Sequence, residues 1–198
     1  MQNESTPRCL VVTAFEPFGG ETVNAAQRAL ALLPEEIGHW KLIKRIIPVV
    51  FGKGAAAVIA AAEEAGAEAV LCLGQAAGRA AVTPELVGIN LAHAPIPDNE
   101  GNQPQGQPIF PGEKEACFSP LPVRRMAEAI QAAGVAGQVS YSAGAYVCND
   151  VLYRVLRHFE NTPVRAGFIH VPVTPEQGEP SLASEKAAAA LAAAIKVI

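Results

Sequence analysis

A cysteine at the start of a predicted helix is the clearest candidate for covalent chemistry. The segment SAGAYVCNDVLYRVLRH, residues 142–158, changes at Cys148 from small residues to a helical apolar pattern. At a helix N-terminus, unpaired N–H groups and the helix dipole favour an anion, and thiols placed there have a lowered pKa. Cys148 is therefore a candidate nucleophile, although position alone leaves open a thiol that merely packs under the helix.

A nucleophilic thiol needs a base within reach, and the chain has four histidines. His158 follows Cys148 by about ten residues on the same predicted helix, so roughly 15 Å separates them and His158 is excluded. His170 ends a predicted strand and is the better candidate. A core histidine bonded to a backbone carbonyl remains the alternative.

A third group should orient the imidazole, as a carboxylate does in acyl-transfer triads. Glu85, in TPELVGIN, and Asp98, in IPDNEG, are the acids closest to the predicted site. Asp98 also fits a plain turn. Asp150 lies in the first turn of a predicted helix, where an acid is ordinary.

Aromatic residues near the first strand could form an apolar slot. Phe15 and Phe18 flank Glu16-Pro17 in AFEPFGG, just before a predicted helix. The two glycines that follow lack any phosphate-binding pattern, so phosphate binding is a weak interpretation. Two core phenylalanines are the alternative to a slot.

The composition excludes several classes of function. The chain has 198 residues, 50% of them hydrophobic, and a net charge of −4. It has no basic cluster for nucleic acid and no apolar run long enough for a membrane span. The N-terminal residues lack the pattern of a secretory signal. We therefore expect one cytoplasmic domain over residues 1–198, without a nucleic-acid or membrane partner.

The four cysteines do not form a metal-binding or disulfide pattern. They lie at positions 9, 72, 117 and 148, without a CxxC pair or zinc spacing. Cys9 and Cys72 fall inside apolar runs and are expected to be buried and inert. We expect no metal and no cofactor. A redox sensor that pairs Cys148 with Cys117 is a further hypothesis.

The apolar pattern alternates between strands and helices. Strands are predicted at 9–15, 41–50, 67–74, 138–144 and 164–173, and helices at 24–34, 52–66, 121–134, 149–159 and 181–198. Residues 75–118 are rich in Gly, Pro, Asn and Gln and are expected to be irregular. This alternation predicts an α/β sandwich with a largely parallel sheet.

The unusual residues follow the ends of predicted strands. They are residues 15–20, 75–85, 146–148 and His170. In open α/β sheets, ligands bind outside the carboxyl ends of the strands. The pattern therefore predicts that these segments meet at one edge of the sheet.

Read together, five segments resemble the pyroglutamyl peptidase I family of cysteine exopeptidases. They are TAFEPFGGETVN, GQAAGR with TPELVGIN, IPDNEGNQP, SYSAGAYVCN and GFIHVPVTPEQ, in the order and spacing of that family. The resemblance covers nearly the whole chain. It implies a three-layer α/β/α sandwich with a mostly parallel mixed sheet, a homo-oligomer (commonly a tetramer) and no metal.

The resemblance also implies roles for individual residues. The triad of the family maps onto Glu85, Cys148 and His170, and the ring of the substrate would lie between aromatic and polar residues. These substrate-binding residues are Phe15, Phe18, Asn24, Gln75 and Tyr146. The implied activity is removal of an N-terminal pyroglutamyl (5-oxoproline) residue from peptides.

The sequence departs from the family pattern at three places. Leu86 and Gly88 stand in a motif that usually reads Glu-Arg-Val-Ala, and Ala25-Ala26 replace Pro-Ser. Pro95 replaces an arginine that the family associates with substrate binding and the oxyanion. The loss of one oxyanion donor costs about a hundredfold or more in rate. A weak or altered-specificity relative that binds a 5-oxoproline-like ligand is therefore the alternative function.

Overall fold

The computed structural model describes residues 8–198. These residues form a six-stranded sheet, which lies between two helical layers, and two small two-stranded sheets. The strands are β1 Arg8–Phe15, β2 Glu36–Ile37, β3 Trp40–Ile47, β4 Ala69–Gln75, β5 Thr83–Pro84, β6 Val87–Ile89, β7 Ala92–His93, β8 Gln105–Gln107, β9 Ala116–Phe118 and β10 Arg165–Val171. The helices are α1 Ala25–Leu32, α2 Lys53–Glu64, α3 Val123–Ala132, α4 Val147–Phe159 and α5 Ser184–Ile195.

The main sheet is mixed and mostly parallel. Its strand order is β2-β3-β1-β4-β10-β5, and the four inner strands are parallel to one another. The short outer strands β2 and β5 are antiparallel to their neighbours. This topology confirms the predicted α/β class.

Alternating residues of the inner strands pack on opposite helical layers, because successive side chains of a strand point to opposite faces. On β1, Leu10 and Val12 belong to the cluster that contains residues of α1, α3 and α5. Val11 belongs to the cluster with α2 and α4. The predicted three-layer α/β/α sandwich is therefore confirmed.

The prediction of a strand at residues 138–144 is wrong. This segment has one isolated bridge, from Ser140 to Glu85, and a second bridge, from Gly137 to Val82, lies just before it. The strand next to it, β5, has two residues, so the edge of the sheet is too short to hold a regular ladder. The chain then turns through Gly144, which has a φ of 79°, and enters α4.

The segment predicted as irregular contains short strands. After β5, the strands β6 and β9 form one two-stranded sheet, and β7 and β8 form another. Gly88 of β6 packs so closely on α4 that a Cβ at this position would lie 3.0 Å from N and Cα of Tyr153. This close approach leaves little room for a side chain at this position.

The assignment of α5 to the core can be tested by making the same substitution, Leu→Ala, at a buried and at an exposed position. Leu191 of α5 is fully buried, whereas Leu32 at the end of α1 is 51% exposed. We expect Leu191→Ala to lower the free energy of unfolding by about 2–5 kcal/mol and Leu32→Ala by less than about 1 kcal/mol. Urea unfolding measures both, and equal losses would contradict the assignment of α5 to the core.

Candidate active site

The ends of three neighbouring strands and the start of α4 meet at one edge of the sheet. Phe15 ends β1, Gln75 ends β4 and His170 is the penultimate residue of β10. Tyr146 precedes α4 and Cys148 is the second residue of this helix. The parallel strands run in one direction, so their carboxyl ends lie side by side.

Glu85 and His170 form a buried pair. The Oε1 atom of Glu85 lies 2.7 Å from Nδ1 of His170, and the two residues are 0% and 3% exposed. Backbone pairing fixes the acid, since the N–H of Glu85 donates to the carbonyl of Phe168 at 2.9 Å. The structure therefore brings two of the three predicted triad residues into direct contact.

Burial and charge together decide the protonation of this pair. Burial by itself raises the pKa of Glu85, but the hydrogen bond and charge of His170, with the charge of Arg79, hold it below its usual value. Burial lowers the pKa of His170 more than the contact with Glu85 raises it. A carboxylate therefore accepts the proton of Nδ1 and leaves Nε2 of the neutral imidazole free to accept another.

Cys148 lies beside this pair, above β4. Its Sγ is 3.2 Å from the place that a Cβ of Gly74 would occupy, and Gly74 is the register partner of His170 on the adjacent strand. Neighbouring strands are about 4.8 Å apart, so the sulfur lies over the strand that adjoins His170. A Cβ at Gly74 would also lie 2.9 Å from the ring of Phe168. Glycine at this position leaves room for the sulfur.

The prediction of a lowered thiol pKa is wrong for the resting protein. Burial raises the pKa of Cys148 to about 12, the charge of Glu85 adds to this, and Arg79 opposes it. The helix terminus is present, but desolvation of a thiolate outweighs it. The site at rest therefore holds a thiol and a neutral imidazole, not an ion pair.

A narrow slot lies next to the sulfur. It is lined by Phe15, Phe18, Asn24, Val49, Gln75, Tyr146, Val147 and Cys148. The rings of Phe18 and Tyr146 are 6.2 Å apart, and the hydroxyl of Tyr146 donates to the carbonyl of Pro97 at 3.1 Å. The free space is only about 10 Å³, so a ring-sized ligand requires one of these half-buried aromatic side chains to move.

The two polar residues of the slot, Asn24 and Gln75, differ in which of their polar atoms are already hydrogen-bonded. Asn24 is occupied, because its Oδ1 accepts the N–H groups of Ala26 and Gln27 at the start of α1 and its amide donates to the Glu16 carbonyl. Gln75 uses only its oxygen, which accepts from the N–H of Ala25 at 2.8 Å. Asn24 therefore lines the slot as the N-cap of α1. The amide N–H groups of Gln75, in contrast, take no part in the contact with α1.

Sequence reasoning missed four residues that shape the site. They are Gly74, Arg79, Phe51 and Gln177. Arg79 bonds Glu85, and Gln177 donates to Gln75 Oε1 at 3.3 Å. The signal for Arg79 was a lone basic residue shortly before the candidate acid. Gln177 is the last residue of GFIHVPVTPEQ, one of the segments that carry the family resemblance, but its type and position gave no sign of a contact with Gln75.

The competing acids have structural roles. Asp98 accepts the N–H groups of Phe51, Glu100 and Asn102, which confirms the interpretation as a turn. Asp150 accepts the N–H of Gly52 at 2.8 Å and pairs with an arginine one helical turn along α4.

The remaining candidates lie away from the pair. His158 contacts Glu63 on the helical surface. Cys72 is buried as predicted, but Cys9 is half-buried because it lies near the start of β1. Pro95 is exposed, and its carbonyl accepts from Gln103.

Larger cavities exist elsewhere in residues 8–198. Two of about 530 and 590 Å³ flank Arg154 of α4, and neither is lined by Cys148 or His170. Within the described residues, no group of three His, Cys, Asp or Glu side chains could hold a metal ion. No helix in this part of the chain is long and apolar enough to cross a membrane.

Comparison with protein families gives one consistent match. The family model for pyroglutamyl peptidase matches residues 8–198. A pyrrolidone-carboxylate peptidase of Lactobacillus johnsonii is 44% identical over 196 residues, which covers 96% of this chain and 91% of the relative. One from Escherichia fergusonii is 40% identical over 195 residues, covering 95% of this chain and 91% of the relative.

Solved structures agree with the sequence comparison. The crystal structure of pyroglutamyl peptidase I from Bacillus amyloliquefaciens has a TM-score of 0.91 and 38% identity, with 96% of each chain covered. A mutant pyrrolidone carboxyl peptidase from Pyrococcus furiosus has a TM-score of 0.90 and 37% identity, covering 96% of this chain and 97% of the other. The similarity therefore extends over the whole fold.

The protonation state of Cys148 can be measured by alkylation. With a pKa near 12, the rate of reaction with iodoacetamide should rise about tenfold per pH unit through neutral and mildly alkaline pH. Peptide mapping by mass spectrometry separates Cys148 from the other cysteines. A rate that is already constant below neutral pH would show a thiolate–imidazolium pair and contradict this description.

Proposed function

Because this chain belongs to the pyroglutamyl peptidase family of cysteine peptidases, we propose that Cys148, His170 and Glu85 form its catalytic triad. The substrates are peptides with an N-terminal pyroglutamyl residue, and the products are 5-oxoproline and the shortened peptide. The observation that carries this proposal is the buried 2.7 Å contact between Glu85 and His170, with the sulfur of Cys148 over the adjacent strand.

The thiol state of Cys148 defines the first step. As the sulfur attacks the carbonyl carbon of the pyroglutamyl residue, its proton passes to Nε2 of His170. Glu85 holds Nδ1 and stabilises the imidazolium that forms. Collapse of the tetrahedral intermediate breaks the C–N bond, and the imidazolium gives its proton to the leaving amine. This step leaves a thioester on Cys148.

Water completes the cycle. His170 is neutral again and takes a proton from water, whose oxygen attacks the thioester carbonyl. The C–S bond breaks, the imidazolium returns its proton to the sulfur, and 5-oxoproline leaves. In both halves, the N–H of Cys148 in the first turn of α4 is available to the oxyanion, because first-turn N–H groups lack partners inside a helix.

The slot suits a lactam ring. A pyroglutamyl residue has no free amine, so it carries no ammonium group for a carboxylate to recognise. The walls formed by Phe15, Phe18 and Tyr146 are aromatic and uncharged, and Gln75 offers amide N–H donors to a lactam carbonyl. Phe18 and Tyr146 are only half-buried, which allows the slot to widen for the ring.

We also propose a cytoplasmic homo-oligomer, with a tetramer as the number that the resemblance implies. Phe118 is 69% exposed and Tyr141 is 63% exposed in the protomer. A subunit interface is a common place for such large apolar side chains.

Hydrolysis of a fluorogenic pyroglutamyl amide tests the triad. We expect turnover by the reduced protein and a loss of about a thousandfold or more in kcat for Cys148→Ala and for His170→Ala. Cys117→Ala is the matched control, because Cys117 is a buried thiol on β9, opposite Gly88 of β6, and it should keep wild-type kcat apart from a small effect of packing.

Two outcomes would contradict this proposal. Full activity of Cys148→Ala would exclude the nucleophile, and no turnover by the wild type would exclude the activity. In the second case, calorimetric binding of 5-oxoproline would favour the alternative, a weak relative that binds the ligand without useful turnover. Restored turnover in Pro95→Arg would then assign the loss to that substitution.

The role of Gln75 predicts a defect in recognition. Gln75→Leu removes the amide donors, and we expect kcat/KM for the pyroglutamyl amide to fall about 10- to 100-fold, mostly through KM. The alkylation rate of Cys148 should stay at its wild-type value, because the thiol does not contact this amide through a hydrogen bond. An unchanged kcat/KM would contradict the proposed contact with the lactam.

A further inference from the structure

The Glu85–His170 pair has a third, charged partner in Arg79. Nη1 of Arg79 lies 2.6 Å from Oε1 of Glu85, the same oxygen that faces Nδ1 of His170. Glu85 is fully buried, whereas the Arg79 side chain is 28% exposed. The arginine therefore reaches inward from the surface to a carboxylate that water does not contact.

Arg79 also joins the two chain segments that carry the site. Its Nη1 donates to Oγ1 of Thr83 at 2.5 Å, and its Nη2 donates to the carbonyl of Ser142 at 3.0 Å. Thr83 belongs to β5, and Ser142 lies in the segment that leads into α4 and Cys148. One guanidinium thus connects the strand before the acid with the loop before the nucleophile.

We propose that Arg79 is a positioning residue for this hydrolysis: it fixes the Glu85 carboxylate against His170 and keeps the imidazole neutral before the reaction. The inference rests on the proposed function. Neither composition nor fold requires an arginine here, because the loop of residues 76–82 is already held by backbone bonds from Ala76 to Val171 and from Val82 to Ala136.

The physical argument concerns the proton on His170. A carboxylate in direct contact with an imidazole favours the imidazolium, which cannot accept the proton of Cys148. A cation on the same carboxylate opposes this, and the charge of Arg79 lowers the pKa of both His170 and Cys148. The charged groups that act on His170 are Glu85 and Arg79, so Arg79 is the cation among them.

Loss of the guanidinium should therefore change the pH dependence. With Arg79→Gln, the pKa of His170 rises, and the imidazole becomes protonated, hence inactive, at a higher pH than in the wild type. The acid limb of kcat/KM should move to higher pH, and the plateau should fall about 10- to 100-fold, since a charge-assisted hydrogen bond is lost.

The experiment uses the full chain and the fluorogenic pyroglutamyl amide. It compares pH profiles of kcat/KM for the wild type, Arg79→Gln, Arg79→Lys and Arg8→Gln, together with thermal unfolding of each. Arg8→Gln is the matched control, because Arg8 forms an exposed ion pair with Glu68 at the opposite end of β1. We expect the control profile to match the wild type.

Arg79→Lys separates charge from shape. Lysine keeps the cation but lacks the planar fork, so its acid limb should stay near that of the wild type while its plateau falls severalfold. If Arg79→Gln does not fold, the pH profile of Arg79→Lys still tests the proposal. An acid limb that moves in Arg79→Lys, or one that does not move in a folded Arg79→Gln, would overturn the proposal.

The outcomes distinguish this inference from the proposed function. If the wild type is inactive, or if Cys148→Ala retains activity, the proposed function fails. If the wild type is active and depends on Cys148 while the acid limb of Arg79→Gln is unchanged, only the role of Arg79 fails.

Discussion

The hydrogen bond between Glu85 and His170 is the interaction on which the candidate site depends. It joins a strand at the edge of the main sheet to an inner strand, in a place that water does not reach. Burial makes each ionised group costly by itself, so the contact determines which nitrogen carries the proton. The free Nε2 of His170 follows from this contact, and the proposed transfer of the Cys148 proton depends on that nitrogen.

The position of Cys148 shows how two opposing effects are balanced. A helix N-terminus favours a thiolate, but the sulfur lies over Gly74 and against the core, where desolvation dominates. Cys148 therefore stays protonated until a base accepts its proton. In the proposed reaction, this arrangement couples nucleophilic attack to proton transfer.

The slot is held together by contacts between segments that lie far apart in the sequence. The turn around Asp98 binds the N–H of Phe51, whose ring meets Tyr146 edge-on at 5.5 Å. Gln177, in the loop after β10, donates to Gln75 and orients it. The irregular segments thus support the slot, while the ends of β5 and β10 support the Glu85–His170 pair. This division is common in α/β folds, in which loops at the strand ends carry specificity.

The sequence by itself determined the fold class and the convergence of the candidate residues. Apolar runs separated by helical patterns require parallel strands, and parallel strands bring their carboxyl ends together. The proposed nucleophile, base and acid followed from residue types at these ends and from resemblance. The strand predicted at 138–144 failed because a local pattern does not show how short its neighbour β5 is.

Tertiary structure alone decided the protonation of Cys148 and the partners of the polar residues. The sequence shows that a cysteine starts a helix, but the depth of its burial depends on the space above Gly74, which lies on the distant strand β4. Likewise, the side-chain oxygen of Asn24 is already bonded to the helix that it caps. Arg79 contacts Glu85 only because the loop of residues 76–82 folds back towards it. Desolvation and hydrogen bonding depend on neighbours in space, so no local pattern could specify them.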